Sequence, residues 1–188
     1  MLGFKIIAEA TDAPVSTEDL RNHLLLFGDT SFDTELASII FVAQKLIADE
    51  IGEFPSATTI RQPYNYFSKF MPIRHSFVTS ITQIQYYDSD DTLQTLSTDD
   101  YLFDEIGADK RAIVTNIPTG ALSSNYPTPV YIDYVAEMDP VPNTIGQAIL
   151  ICAGEMFKNR ENTNDAQQYL NVINGSSLVG NLRRRYRQ

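Results

Sequence analysis

The apolar residues of this chain change their spacing twice, and that change limits what the chain can fold into. From residue 20 to residue 51 they recur three and four positions apart, the period of a helix with one buried face. From residue 58 to residue 135 they fall into short runs of aromatic and β-branched side chains, punctuated by proline, glycine and aspartate. From residue 145 to residue 157 the helical period returns. This order predicts an α+β fold. The expectation is a helical core, made of a helix hairpin, a long third helix and a short C-terminal helix, with a central antiparallel β-hairpin or small sheet.

Boundary signals refine the elements. Ser16 followed by Asp19 reads as a capping pair, and Leu20, Leu24 and Phe27 then run to Gly28, predicting a helix over 16–27. Phe32, Leu36, Ile39, Ile40, Ala43, Ile47 and Ile51 form the stripe of a second helix over 32–51, closed by Gly52 and Pro55. The link between them is short, so they should pair antiparallel. The strands lie within 58–135. Pro63 points to an edge position for the first, and the uneven spacing of Val78, Ile81 and Ile84 predicts a bulge in the next. Asp88 to Asp91 is a turn, Thr92 to Leu96 is the returning strand, and the proline-rich stretch 116–129 is a loop. A third helix over 142–160 should pack on the first two through Ile145, Ala148, Ile149, Cys152 and Phe157. A last helix is expected over 176–184. Residues 1–180 then make one domain, and 181–188 a separate basic tail.

Charge narrows the functional classes. The chain carries 24 acidic and 14 basic side chains, net −10. A body this acidic repels nucleic acid, since duplex binding needs a basic face that releases counterions. The imbalance is also uneven. Asp88, Asp90, Asp91, Asp99, Asp100, Asp104, Glu105 and Asp109 come without an intervening base. These acids are expected to face solvent, because burying many unpaired carboxylates is prohibitive. The tail Asn181–Gln188 instead holds Arg183, Arg184, Arg185 and Arg187 around Tyr186. Four like charges in so short a run repel one another when free, and guanidinium groups beside an aromatic suit the capture of a carboxylate-bearing partner. No run of about 20 apolar residues that could cross a bilayer is present. The opening MLGFKIIAEATDAP lacks the pattern of a secretory signal, and the single Cys152 leaves no internal disulfide, so the reading is a soluble protein of a reducing cytoplasm.

Catalytic and cofactor patterns do not emerge. The nine glycines form neither GxGxxG nor GxxxxGK[ST]. His23 and His75 share no ligand spacing and read as surface or packing histidines. Cys152 sits on an apolar helical stripe as a small hydrophobe. Asp88, Asp90 and Asp91 lack the glycine and distal glutamate of a calcium loop. The expectation is a non-enzyme with no cofactor and no metal.

Several short stretches, in order, resemble the head–tail connector (adaptor) proteins of tailed bacteriophages, which form the ring beneath the portal. Pro14-Val15-Ser16 with Leu20 and Leu24 resembles the family's opening helix. Phe70-Met71-Pro72-Ile73, Val78 to Ile81, Ile84 and Tyr86-Tyr87-Asp88 are similar to its strand pair, and Asp100-Tyr101 stands where the family often has DY. Val141-Pro142, Gln147-Ala148-Ile149 and Phe157 to Glu161 resemble its long helix, and Leu178, Leu182, Tyr186 and Arg187 its closing segment. His75-Ser76 departs from the family's usual proline, and Ala136-Glu137-Met138 from its AGY.

The resemblance implies a structural protein of the virion neck, made in the host cytoplasm. It implies a ring of identical subunits, typically twelve, contacting the portal on one side and a head-closure or tail protein on the other. Double-stranded DNA would pass through the ring without being read, and no membrane is involved. The docking tail would be Leu182 to Arg187, and the acidic residues Asp88 to Glu105 would face the channel or the next ring. Another neck protein, a tail-completion or head-closure protein, is the alternative.

Overall fold

The computed structural model describes residues 3–105 and 110–159. It is α+β, and the chain forms two compact units. Helices occupy one, Thr11–Ser56 together with the described residues 138–159. Strands occupy the other, Met1–Ala10 with Ala57–Glu137. The expected helix 176–184 and the tail 181–188 lie outside the described residues.

In the helical unit, α1 (Thr17–His23) opens on the expected capping box. Ser16 Oγ accepts from the Asp19 amide at 3.1 Å, and Asp19 Oδ2 accepts from the Ser16 amide at 2.9 Å. The helix is shorter than the predicted 16–27. It closes in a Schellman motif, with the Leu26 amide bonded to the Arg21 carbonyl and the Leu25 amide to that of Asn22. Leu25 takes the left-handed position at φ 60°, where glycine is usual. Phe27 is therefore off the helix and exposed rather than on its apolar stripe.

Helix α2 (Asp33–Ile51) matches expectation closely and ends at Gly52, whose φ of 74° suits a residue without Cβ. Leu36, Ile40, Ala43, Ile47 and Ile51 are buried along one face. Helix α3 (Asn143–Lys158) starts after Pro142 and contacts both α1 and α2. Ile145, Ala148, Ile149 and Cys152 are buried as predicted. Phe157 is only half-buried, its ring edge-on to Phe32 at 5.6 Å, because it sits at the helix end.

The β unit holds two antiparallel sheets. The larger contains β1 (Lys5–Ala8), β2 (Thr58–Tyr64), β4 (Val78–Tyr87), β5 (Leu93–Thr95) and β8 (Val130–Ala136) in the order β1-β2-β8-β4-β5. The smaller contains β3 (Phe70–Pro72), β6 (Tyr101–Asp104) and β7 (Arg111–Val114) in the order β3-β7-β6. β2 is not an edge strand: β1 covers it. The covering strand stops at the Lys5–Arg61 pair, however, so Pro63 lies past its reach and no ladder bond is lost there. The bulge predicted in β4 is present, with register shifts between Val78 and Ser80 and between Ile81 and Gln83.

Alternation divides the larger sheet into two faces. Ile60, Ile84, Val130, Ile132 and Tyr134 are fully buried on one. His75 joins this apolar side, 2% exposed, sharing a 2.7 Å hydrogen bond through Nδ1 with the Tyr134 hydroxyl. Burial, and secondarily the Arg74 charge, push the His75 pKa down to about 4 from 6.5. Above pH 6.5 the ring is neutral in both states and contributes no pH dependence. Below it the unfolded chain takes up a proton that the fold refuses, so stability falls as pH drops from 6.5 toward 4. The full loss corresponds to at most about 3 kcal/mol. Urea midpoints at pH 7.5 and pH 4.5 should therefore converge in His75→Gln relative to the parent. An identical pH slope in the two proteins would show that His75 is not held neutral.

Candidate interaction surfaces

The acidic segment folds into two places in the β unit. At the tip joining β4 to β5, Asp88 organises the turn: Oδ1 accepts from the amides of Asp90 and Thr92 at 3.0 Å each, and Oδ2 from Gln94 Nε2 at 2.8 Å. These bonds, that from Gln94 foremost, hold the Asp88 carboxyl below the usual carboxylate range. Asp91, at φ 59°, accepts from the Ser123 hydroxyl and from Asn125 Nδ2 at 2.6 Å, and it too is held low, chiefly by Ser123. The tip is thus tied to loop 116–129, and Tyr126 of that loop stacks flat on Tyr87 at 3.9 Å.

The second group surrounds β6. Asp100 Oδ1 accepts from Asn116 Nδ2 at 3.1 Å, and Asp104 pairs with Arg111 at 2.7 Å. The expectation that all these acids are largely exposed therefore needs correcting. Asp88, Asp100 and Asp104 are half-buried because each carboxylate satisfies neighbouring donors. Asp90, Asp91, Asp99 and Glu105 are exposed, and of these only Asp91 carries such side-chain bonds. Asp109 and the tail residues Leu182, Arg183, Arg184, Arg185, Tyr186 and Arg187 lie outside the described residues.

Among the described residues no three His, Cys, Asp or Glu side chains gather as metal ligands, and no helix is long and apolar enough to cross a membrane. Asp88, Asp90 and Asp91 act as a turn. Burial pushes the Cys152 thiol up to about 11, the opposite of what a nucleophile needs.

Three features were not anticipated. On the outer face of the larger sheet, Arg61 meets Asp133 with two bonds of 2.8 and 2.7 Å, and Gln83 and Gln85 complete the cluster at 2.9 and 2.8 Å. The polar phase within β8, Tyr131-Asp133-Val135 against Val130-Ile132-Tyr134, was the available signal. The second feature is an apolar row on the open face of the smaller sheet, and the third is the exposed Leu25–Phe27 turn.

No family model and no curated protein matches the chain. Solved structures do. The fold is shared with chains of gene transfer agent particles. One, from the virion of the native particle, superposes with a TM-score of 0.69 at 14% identity, covering 97% of this chain and 94% of that one. A chain of the native particle's neck, computed with C12 symmetry, gives 0.66 at 15% identity, covering 97% and 95%. A chain of the empty particle's neck, computed with C6 symmetry, gives 0.65 at 15% identity and 84% coverage of each. Identities this low establish likeness of fold. That likeness includes both the helical unit and the β unit, since the wider matches span almost the whole chain.

Proposed function

We propose that this chain is a structural neck component of a tailed, phage-like particle, and specifically the adaptor ring that docks on the portal and continues the DNA channel. The observation that carries the reading is a fold match over 84–97% of this chain to chains of gene transfer agent particles, one from the virion and two from necks computed with twelvefold or sixfold symmetry. The ordered motifs resembling phage adaptors point the same way without using the fold. An acidic body suits a conduit, because a wall that repels phosphates lets a duplex slide. In this reading the tail Leu182 to Arg187 docks on the portal, and the ring's other side meets a head-closure or tail protein. Mixing the purified chain with portal rings and imaging the product tests this: the rings should gain a second tier. Portal rings that stay bare at saturating protein would refute it.

The acidic segment enters as a surface facing the channel or the next ring. The distribution of carboxylates shows which acids can be changed without touching the fold. Asp90→Lys, Asp99→Lys and Glu105→Lys combined should leave the melting temperature within a few degrees, since surface changes of this kind are usually within about 0.5 kcal/mol each. The same variant should slow DNA ejection or block attachment of the next protein. Normal ejection and normal attachment would remove the role of these three acids.

A further inference from the structure

A polar relay bridges the two sheets of the β unit. Gln62 on β2 anchors it with four bonds. Its Oε1 accepts from the Arg74 amide at 3.0 Å and from the Tyr134 hydroxyl at 3.3 Å. Its Nε2 donates to the Tyr64 hydroxyl at 2.9 Å and to the Pro72 carbonyl at 3.2 Å. The Arg74 amide can only donate, which fixes the end of the Gln62 side chain that is oxygen. The Tyr134 hydroxyl gives its one proton to Gln62, so in its 2.7 Å contact with His75 it accepts. Nδ1 is therefore the protonated nitrogen of the neutral imidazole. Strands β2 and β8 and the connector that follows β3 are thus joined through one histidine.

On its outward side the imidazole is covered by the beginning of the chain. The Phe4 ring meets His75 edge-on at 5.0 Å, and the exposed Arg74 guanidinium lies 5.2 Å from the Phe4 ring. Phe4 is 38% exposed where His75 is 2% exposed, so Phe4 separates the imidazole from water. That cover is lightly held. It runs directly into β1, which pairs with β2 at Lys5, Ile6 and Ala8 and loses register between the last two. Lys5, Ile7 and Ala8 are exposed, and Ile6 is half-buried, so β1 brings little apolar burial to the sheet.

We propose that His75 is an acid-sensitive latch on β1: when the imidazole takes up a proton it leaves its site past Phe4, and β1 is released from the edge of the larger sheet. The device is independent of the neck reading. Tyr134 from β8 presents a neutral hydroxyl to the ring, and Gln62 and Tyr64 from β2 stand behind it. Phe4 closes the outer side, and Arg74 on the ring's own connector is a cation. Lys5, Arg61 and Asp133 align across the opposite face of the sheet. Burial and the Arg74 charge both oppose the imidazolium. Tyr134 is fixed in the middle strand and Gln62 by its four bonds, so the side closed by Phe4 opens at least cost. Release leaves Thr59, Ile60 and Arg61 of β2 as a bare edge open to another strand.

Hydrogen exchange of the full chain, read by mass spectrometry, tests the latch. After correction for the intrinsic pH dependence, exchange in residues 4–8 should accelerate about tenfold for each pH unit between 6.5 and 4.5, because each opened copy holds one more proton than a closed one. Residues 33–51 of α2 should change by less than about threefold over the same range. In His75→Gln residues 4–8 should show no such acceleration. A pH-independent rate in the parent, equal acceleration in His75→Gln, or loss of protection in α2 in step with β1 would each overturn the latch. Phe4→Ala gives a second reading by NMR, should the glutamine variant not fold. Without its cover the His75 imidazole should titrate closer to its ordinary 6.5 than to about 4. A titration unmoved from that of the parent would likewise overturn the proposal.

Discussion

Asp133→Ala should destabilise the β unit by about 3–5 kcal/mol, the cost typical of removing one partner of a buried ion pair. Asp133 lies on β8, the middle strand of the larger sheet, with its side chain 4% exposed. It accepts two bonds from Arg61 on β2 and one from Gln83 on β4, so one carboxylate joins three strands. Removing it leaves the partly exposed Arg61 guanidinium with only its Gln85 bond and takes the Asp133 acceptor from the Gln83 amide. Arg61 is 29% exposed, which places the expected loss toward the lower end of the range. Urea unfolding followed by tyrosine fluorescence would measure it. Arg61→Met with Asp133→Leu should recover most of the loss, because the penalty comes from the unpaired charge rather than from the missing attraction. An unchanged midpoint in the single variant would show that the cluster does not hold the sheet together.

Deleting residues 181–188 should abolish attachment to portal rings while leaving the melting midpoint of the remaining chain in place. The deleted segment holds four arginines and Tyr186, and the rest of the chain then carries 10 basic against 24 acidic side chains. Guanidinium groups bind carboxylates with two parallel bonds, and an aromatic anchor beside them fits the composition of binding hot spots. Both portal docking and DNA contact would weaken with salt, so salt dependence does not separate them. Portal rings free of DNA do. Undiminished attachment of the truncated chain to such rings would remove the tail from the docking surface.

What was legible in the sequence follows from how local each signal is. Helix α2 was readable nearly residue for residue because its burial pattern follows one helical face and its stop is a glycine. The bulge in β4 was readable because an inserted residue disturbs the alternation itself. The end of α1 was not, since Leu25 adopts a conformation that its side chain disfavours and no neighbouring residue announces it. β1 is four residues long and mostly exposed, too brief for a period to show. Its pairing with β2 corrected the edge position expected from Pro63, and that pairing joins residues far apart in the chain.

The acidic segment shows the same division. Its charge was plain from composition. Which carboxylates serve the fold depended on Ser123, Asn125, Asn116 and Arg111, reached only once the loops close. The Arg61–Asp133 pair spans 72 positions, beyond any local pattern.

The most direct test of the proposed role is electron cryomicroscopy of phage-like particles purified from the source of this chain, at the joint between head and tail. The account predicts a closed ring of copies of this chain immediately beneath the portal, with both units fitting each repeat of the density and the DNA channel running through its centre. A neck whose first ring beneath the portal is built from a different chain would contradict it.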